Sequence, residues 1–164
     1  MAGRETPATR LARQAGVILT VHEYARGDDG GGAVGAGYGV EAAAALGVDA
    51  GRVLKTLVVD LAGTLAVGVV PVAGQLDLKA VAAALGAKHA QLADPGAAER
   101  VTGYVRGGIS PLGQRRKLAT VIDSSALEHS TVFVSAGRRG LEIEIAPQDL
   151  VRLTGAVMAA VGRR

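Results

Sequence analysis

Two apolar segments joined by a short turn constrain the fold of this chain more than any other feature. The residues Leu54–Asp60 and 65–70 consist mainly of valine and leucine, and Leu61-Ala62-Gly63-Thr64 lies between them. Apolar runs of this length on either side of a glycine-containing turn are typical of a β-hairpin. We therefore expect two buried, antiparallel strands.

Lys55 lies inside the first of these runs. Alternation along a strand places it on the same face as Leu57 and Val59. A buried ammonium group needs a carboxylate, backbone carbonyls, or a ligand phosphate or carbonyl as its partner. The chain has four lysines against fourteen arginines, so a lysine here suggests a need for a compact point charge. The alternative is a lysine that reaches water from an edge strand.

N-cap residues and closing glycines predict the helices. We expect short helices after Thr6-Pro7, before Gly47, after Asp77, after Asp94-Pro95 and over 147–161. Besides the hairpin, strands are expected over 17–24, 120–123, 131–135 and 141–145, and the last two form a second hairpin. Hairpins interspersed with short helices favour an α+β (mixed α/β) fold with a curved, largely antiparallel sheet. We expect one domain over residues 1–164.

Composition excludes several classes of protein. The 164 residues are 49% hydrophobic and include no cysteine, which excludes disulfides, thiolate metal sites and a cysteine nucleophile. No stretch approaches the roughly 18 apolar residues of a membrane span, and no apolar signal segment is recognised, so we expect a cytoplasmic protein without a membrane partner. A net charge of +3 permits RNA as a partner. With 2% aromatic residues, a base-stacking surface and DNA binding are not expected.

Common cofactor and catalytic motifs lack their required context. Gly30-Gly31-Gly32-Ala33-Val34-Gly35 has the letters of a dinucleotide-binding turn, but it does not directly follow a strand and opens no βαβ unit. His22, His89 and His129 lie in separate segments without zinc-ligand spacing. No serine lies in a G-x-S-x-G turn. We expect neither a metal nor a cofactor.

Three polar segments remain as candidates for chemistry. In the loop over 103–113, Gly107 and Gly108 could bring backbone amides close to a ligand oxyanion, although such a pair also occurs in ordinary tight turns. Arg115-Arg116-Lys117 could meet a phosphate backbone or form a solvated basic turn. Glu142 and Glu144 alternate with apolar residues, which predicts that both lie on the water-facing side of a strand.

Five segments, taken in order, carry a resemblance to a known family. They are Val21-His22-Glu23-Tyr24, Val53-Leu54-Lys55-Thr56-Leu57, Pro71-Val72-Ala73-Gly74-Gln75-Leu76-Asp77-Leu78, the loop over 102–113, and Val134-Ser135 with Gly137-Arg138-Arg139-Gly140-Leu141. Together they resemble the YbaK/EbsC-type Cys-tRNA(Pro) deacylases, free-standing relatives of the editing domain inserted in bacterial prolyl-tRNA synthetases. The resemblance covers nearly the whole chain.

The resemblance implies a barrel-like, largely antiparallel mixed sheet surrounded by short helices, with a pocket for the aminoacyl end of a mischarged tRNA. It identifies Lys55 as the essential lysine and Gly107 as the pocket-loop glycine. The polar positions that it places in the pocket are Tyr24, Thr56 and Ser135. Two positions depart from the family: Glu142 stands where an aspartate is usual. Tyr38, near the end of the glycine-rich insertion over 27–39, is the nearest counterpart of a pocket phenylalanine.

We therefore expect a trans-editing hydrolase that acts on mischarged Cys-tRNA(Pro), with prolyl-tRNA synthetase as a candidate partner. The resemblance implies that the thiol of the substrate attacks its own ester. Lys55 would hold the terminal nucleotide or polarise the ester, and Glu142 would pair with its ammonium. The amides of Gly107 and Gly108 would stabilise the oxyanion. The alternatives are an editor of Ala-tRNA(Pro) or another small aminoacyl-tRNA, and a non-catalytic module that binds tRNA or the synthetase.

Overall fold

The computed structural model describes residues 4–25 and 37–164, with the side chains of Gly37 and Tyr38 left outside this description. The elements in chain order are α1 Pro7–Gln14, β1 Leu19–Glu23, α2 Gly37–Leu46, β2 Leu54–Asp60, β3 Leu65–Pro71, β4 Gln75–Leu76, α3 Leu78–Ala84, β5 Gln91–Leu92, α4 Pro95–Thr102, β6 Ala119–Asp123, β7 Val132–Arg138, β8 Leu141–Ile145, α5 Pro147–Thr154, β9 Val157–Ala159 and β10 Gly162–Arg163. A 3₁₀ turn over Ser124–Glu128 joins β6 to β7. Most of the predicted glycine-rich insertion, residues 27–36, lies outside the described residues.

The described strands form three sheets. The largest has the order β5-β2-β3-β6-β9, the second has the order β1-β8-β7, and β4 pairs with β10. Pairing is antiparallel except between β3 and β6 and between β6 and β9. The predicted α+β class and its largely antiparallel strands are confirmed, although the strands in the described part of the chain do not close into a barrel.

Side-chain caps explain where three of the helices begin. Thr6, Asp77 and Asp94 each accept a hydrogen bond from the backbone amide three residues further on. Such a bond satisfies an amide that has no partner within the helix. The helix starts predicted at these residues are therefore confirmed.

The predicted C-terminal helix is too long. α5 ends at Thr154 because Gly155 adopts a left-handed conformation with φ +67°. The chain then forms β9 and β10, and the Asp123 carboxylate accepts hydrogen bonds from the amides of Val161 at 2.9 Å and Gly162 at 2.8 Å. The conformation of the chain after Gly155 is thus determined by pairing with distant strands and not by local helical propensity.

Three apolar clusters hold the elements together. The largest packs the sheet of β1, β8 and β7 against β3, β6 and α5, and a second packs α3 against the large sheet. The third packs α2 against the beginnings of β2 and β7 through Ala42, Ala43, Val53, Val72 and Phe133. This third cluster fixes the region in which the predicted site residues lie.

Candidate functional site

The two larger sheets touch at the start of β2 and then separate. Val53 forms a parallel bridge with Phe133, whose amide donates to the Arg52 carbonyl at 2.8 Å. Further along, β5 pairs with β2 at Val59 and Asp60. Between these two points no described strand other than β3 pairs with β2. A cavity of about 360 Å³ opens there.

Most of the predicted site residues line this cavity. They are Tyr24, Lys55, Thr56, Gly107, Ser135 and Glu142. Lys55 and Ser135 each stand two residues beyond the Val53–Phe133 bridge, so strand periodicity brings both to the same side of the junction. Residues 54–57 all line the cavity. Over these residues β2 pairs with β3 on one side only, so residues from both faces of β2 can border the cavity on its other side.

Lys55 is partly buried in the cavity wall. Burial lowers the pKa of its ammonium group. Among the described residues no carboxylate lies within ion-pair distance of Lys55, so the predicted pairing with Glu142 is wrong, although both side chains line the cavity. Of the partners expected for this ammonium group, a ligand oxygen and water remain as predictions.

Glu142 is buried, with 6% of its surface exposed, so the prediction that it faces water is wrong. It lies between His22 of β1 and Ser135 of β7, on the cavity side of the sheet. Burial raises the pKa of Glu142 to about 8. Its carboxyl group is consequently mostly protonated at neutral pH and can donate one hydrogen bond.

Glu144, two residues further along β8, is partly exposed and has several partners. Its carboxylate lies 2.9 Å from His22 Nε2, accepts a hydrogen bond from Thr131 Oγ1 at 2.6 Å, and lies 3.5 Å from the Arg52 guanidinium. The Thr131 and His22 hydrogen bonds lower the pKa of Glu144. Glu144 therefore ties β8 to β1 and to the chain that leads into β2.

Two further polar groups in the cavity are held in apolar surroundings. Thr56 is 9% exposed, and its hydroxyl has no hydrogen-bond partner within the described chain. Burial first, and the nearby Glu142 second, raise the pKa of Tyr24 to about 12. Buried polar atoms without a partner are uncommon in folded proteins, so the Thr56 hydroxyl is an exception among the described residues of the cavity wall.

The two predicted loop glycines have different roles. Gly107 lines the cavity with φ +90°, and no described residue accepts a hydrogen bond from its amide. The Gly108 amide donates to the Val105 carbonyl at 2.9 Å, and this residue does not line the cavity. A Cβ at Gly108 would stand 2.6 Å from Arg138 Cα, so its role is close packing. Only one of the two predicted amides is thus available to a ligand.

Tyr38 cannot be placed in the site. Its backbone lies in the first turn of α2, whose residues Gly39 and Val40 line the cavity. Its side chain lies outside the described residues. The predicted role of Tyr38 in the pocket therefore remains a prediction.

Several lining residues were not predicted from the sequence: Gly39, Val40, Val53, Leu54, Leu57, Val72, Arg106 and Ile109. Arg106 precedes Gly107 and could have been found by that adjacency. Gly39 and Val72 carry no such signal, because their contact joins distant parts of the chain. α2 is held beside the cavity by the ion pair of Glu41 with Arg139, at 2.7 Å.

A larger, more open groove of about 890 Å³ runs along the start of β1 and contains none of the predicted site residues. Within residues 4–25 and 37–164, no group of three or more His, Cys, Asp or Glu side chains is placed to hold a metal ion. In the same ranges, the helices are too short or too polar to cross a bilayer. The 360 Å³ cavity is thus the candidate site.

Residues 36–153 match the family model described as an aminoacyl-tRNA editing domain. The sequence is 35% identical over 161 residues to a protein of Enterococcus faecalis (strain ATCC 700802 / V583) named "Putative Cys-tRNA(Pro)/Cys-tRNA(Cys) deacylase EbsC". This alignment covers 96% of the present chain and 93% of that protein.

Solved structures share the fold. "Hypothetical protein APE2540" is 27% identical with a TM-score of 0.83, covering 96% of this chain and 100% of its own. A "putative trans-editing enzyme for prolyl tRNA synthetase" is 24% identical with a TM-score of 0.77, covering 98% of this chain and 99% of its own, a level of identity that shows the fold alone. The predicted resemblance and enzyme class, an aminoacyl-tRNA deacylase, are confirmed by the family match and the relative. The chain belongs to the aminoacyl-tRNA editing domain family.

Proposed function

We propose that this enzyme removes cysteine from mischarged Cys-tRNA(Pro), acting in trans after the synthetase has released the product. The observation that carries the proposal is that Lys55, Thr56 and Gly107 line one cavity of about 360 Å³, while the Thr56 hydroxyl and the Gly107 amide have no hydrogen-bond partner among the described residues. The name of the 35%-identical relative points to the same substrate.

The cavity suits a small aminoacyl group. Its volume of about 360 Å³ lies near the lower end of the roughly 300–1,000 Å³ that is usual for small-molecule sites. Apolar side chains, including Val53, Val72 and Ile109, form part of its wall. Size alone separates amino acids that differ by one heavy group by only about 1–3 kcal/mol. Reactivity of the cysteinyl thiol would supply the remaining selectivity.

The proposed chemistry uses this substrate thiol as the nucleophile. Its sulfur bonds to the ester carbonyl carbon, the bond from that carbon to the ribose oxygen breaks, and the thiol proton passes to this departing oxygen, which leaves as the ribose hydroxyl. Water then opens the cyclic thioester and releases cysteine. The protein thus needs no nucleophile of its own, in agreement with a chain that contains no cysteine.

In this proposal the protein supplies placement and charge stabilisation. The Gly107 amide donates a hydrogen bond to the carbonyl oxygen as it becomes an oxyanion. Lys55 holds the terminal nucleotide or polarises the ester, and the Thr56 hydroxyl bonds to the same end of the substrate. Protonated Glu142 and Tyr24 are hydrogen-bond donors at neutral pH for the remaining substrate oxygens.

The first test is the Lys55→Ala variant in single-turnover deacylation of Cys-tRNA(Pro). We expect the rate to fall by about 10²-fold or more, because a charge aligned with the reacting group is lost. Lys79→Ala is the matched control, since it removes the same charge from an exposed position on α3 that does not line the cavity. Wild-type deacylation by a folded Lys55→Ala protein would reject the assigned role.

The second test compares tRNA(Pro) charged with cysteine, serine or alanine. Serine is nearly isosteric with cysteine but is a weaker nucleophile, so the proposal predicts that Cys-tRNA(Pro) is cleaved much faster than Ser-tRNA(Pro). Faster cleavage of Ala-tRNA(Pro) would instead favour attack by water and reject the thiol mechanism.

We further propose that prolyl-tRNA synthetase is a second partner, that the enzyme works in the cytoplasm with the translation machinery, and that residues 1–164 form one domain. The pairing of β9 with β6, which joins the C-terminal segment to the large sheet, supports the last point. A single cooperative unfolding transition is expected in urea, and co-elution with the synthetase tests the partner.

A further inference from the structure

Three arginines form one surface cluster at the C-terminal end of α4, which we call the α4 arginine cluster: Arg106, Arg115 and Arg116. All three are exposed, and none forms an ion pair with another described residue. Arginine guanidinium groups bind phosphate in a planar, two-pronged geometry. An exposed group of three therefore suits a polyanion.

Backbone contacts hold the members of the cluster together. The amides of Arg115 and Arg116 donate to the Thr102 and Val101 carbonyls at 2.8 and 3.2 Å. The Arg115 guanidinium reaches the Arg100 carbonyl at 3.4 Å. The turn that follows Gln114 is thus fixed against the end of α4, so the cluster does not depend on a chance arrangement of side chains.

Arg106 connects this cluster to the cavity. Its amide donates to the Glu99 carboxylate on α4 at 2.8 Å, while the residue itself is exposed and lines the cavity. Glu99 is the one acidic residue within α4, and its carboxylate accepts the hydrogen bond of the Arg106 amide. Three exposed arginines beside this single carboxylate leave a net positive charge next to the mouth of the cavity.

We infer that the α4 arginine cluster binds the backbone phosphates of the tRNA acceptor arm while the 3′ aminoacyl end occupies the cavity. This inference rests on the proposed function, because that function places the aminoacyl end in the cavity. The phosphates that precede a bound 3′ end then lie just outside the mouth, where Arg106 stands. A role limited to complementing the dipole of α4 would affect stability, and not affinity for tRNA.

The test measures binding of uncharged tRNA(Pro) to the full chain at several salt concentrations. For Arg115→Gln/Arg116→Gln we expect affinity to fall about tenfold or more, and the slope of log K against log[salt] to become shallower by about one for each phosphate that the variant no longer binds. The control is Lys79→Gln/Lys88→Gln, which removes two exposed charges from residues outside the cluster and the cavity lining. We expect this control to bind as the wild type does.

Arg116→Gln alone is a second variant, to be used if the double variant fails to fold, and it should also weaken binding and reduce the salt slope. Unchanged affinity and slope in folded cluster variants would overturn the inference, as would an equal loss in the control. Loss of synthetase binding with intact tRNA binding would assign the surface to a protein partner and overturn it too. Since the tRNA is uncharged, these outcomes do not depend on whether the enzyme cleaves Cys-tRNA(Pro).

Discussion

Glu142 and Glu144 stand two residues apart on one face of β8, yet their surroundings are opposite. Glu144 has a hydroxyl, an imidazole and a guanidinium as neighbours, and the pKa of its carboxyl group is lowered. Glu142 is buried beside the cavity, and burial raises its pKa to about 8. The Glu144 carboxylate links neighbouring strands through its hydrogen bonds, whereas the Glu142 carboxyl group is kept protonated beside the cavity.

The same contrast recurs elsewhere around the cavity. The Gly108 amide is bonded within its turn, whereas Gly107 lines the cavity and its amide has no described partner. Thr102 donates to the Ala98 carbonyl at 2.8 Å, whereas the Thr56 hydroxyl is unsatisfied. Two of the polar groups without a described partner, the Thr56 hydroxyl and the Gly107 amide, thus belong to residues that line the same cavity.

The variant with the largest expected effect is Gly107→Ala, which tests whether deacylation needs the Gly107 amide. A side chain at φ +90° strains the loop and moves the free amide, so we expect deacylation to fall about 10²–10³-fold, as for the loss of an oxyanion donor. Gly86→Ala is the control, because Gly86 also has positive φ (+72°) but faces open space. Both variants should lose stability in urea, and only Gly107→Ala should lose activity; equal activity would remove the amide from the mechanism.

Glu142→Gln removes the buried carboxyl group and tests whether burial raises its pKa. As the pH rises from the ordinary value of 4.5 to about 8, the unfolded chain releases the Glu142 proton while the folded protein retains it, so the wild type loses stability over this range. The variant has no titrating group at this position. The free energy of unfolding of the variant should therefore rise relative to that of the wild type over this pH range, by on the order of a few kcal/mol. Urea unfolding at several pH values measures the difference.

Glu144→Gln is the matched control for that experiment, with the opposite sign. Because folding lowers the pKa of Glu144, its ionised carboxylate stabilises the folded protein above pH 4.5. This stabilisation is lost as the pH falls through the folded pKa. The variant should therefore be less stable than the wild type at neutral pH, with a deficit that shrinks in acid. Parallel pH profiles for the two variants would contradict the contrast between the two carboxyl groups.

The smallest expected effect on stability comes from Thr56→Val. Replacing an unsatisfied hydroxyl by a methyl group should leave stability unchanged or raise it by roughly 1 kcal/mol, while deacylation weakens because the substrate loses a partner. Thr102→Val removes a satisfied buried hydroxyl and should instead cost about 1–2 kcal/mol with little change in activity. A stability loss for Thr56→Val equal to that for Thr102→Val would show that the Thr56 hydroxyl is satisfied.

Local sequence signals predicted those parts of the fold that depend on neighbouring residues. The caps at Thr6, Asp77 and Asp94 and the hairpin of β2 and β3 need only a few adjacent side chains. β9 was missed because its partner, β6, is far away in the sequence, and a helical pattern cannot reveal that pairing. The resemblance to a family located most of the cavity lining.

Burial and pairing within the site were not predictable in the same way. Glu142 reads as a water-facing residue because its strand alternates, and only the packing of α2 beside β7 shows that this part of the face is enclosed. Likewise, two adjacent glycines offer two equivalent amides in the sequence. The backbone turn at Val105 decides that one of them is already bonded.

On the side of α2, the cavity wall contains a glycine, Gly39, that is packed against Val72. A Cβ at this position would lie 2.1 Å from Val72 Cγ1, so bare main chain of α2 presses directly against a stiff, branched side chain. Nothing larger than hydrogen can be introduced at Gly39 without displacing the helix. Where α2 meets the cavity wall, a change in width therefore has to come from the side chain of Val72, because Gly39 cannot contribute one.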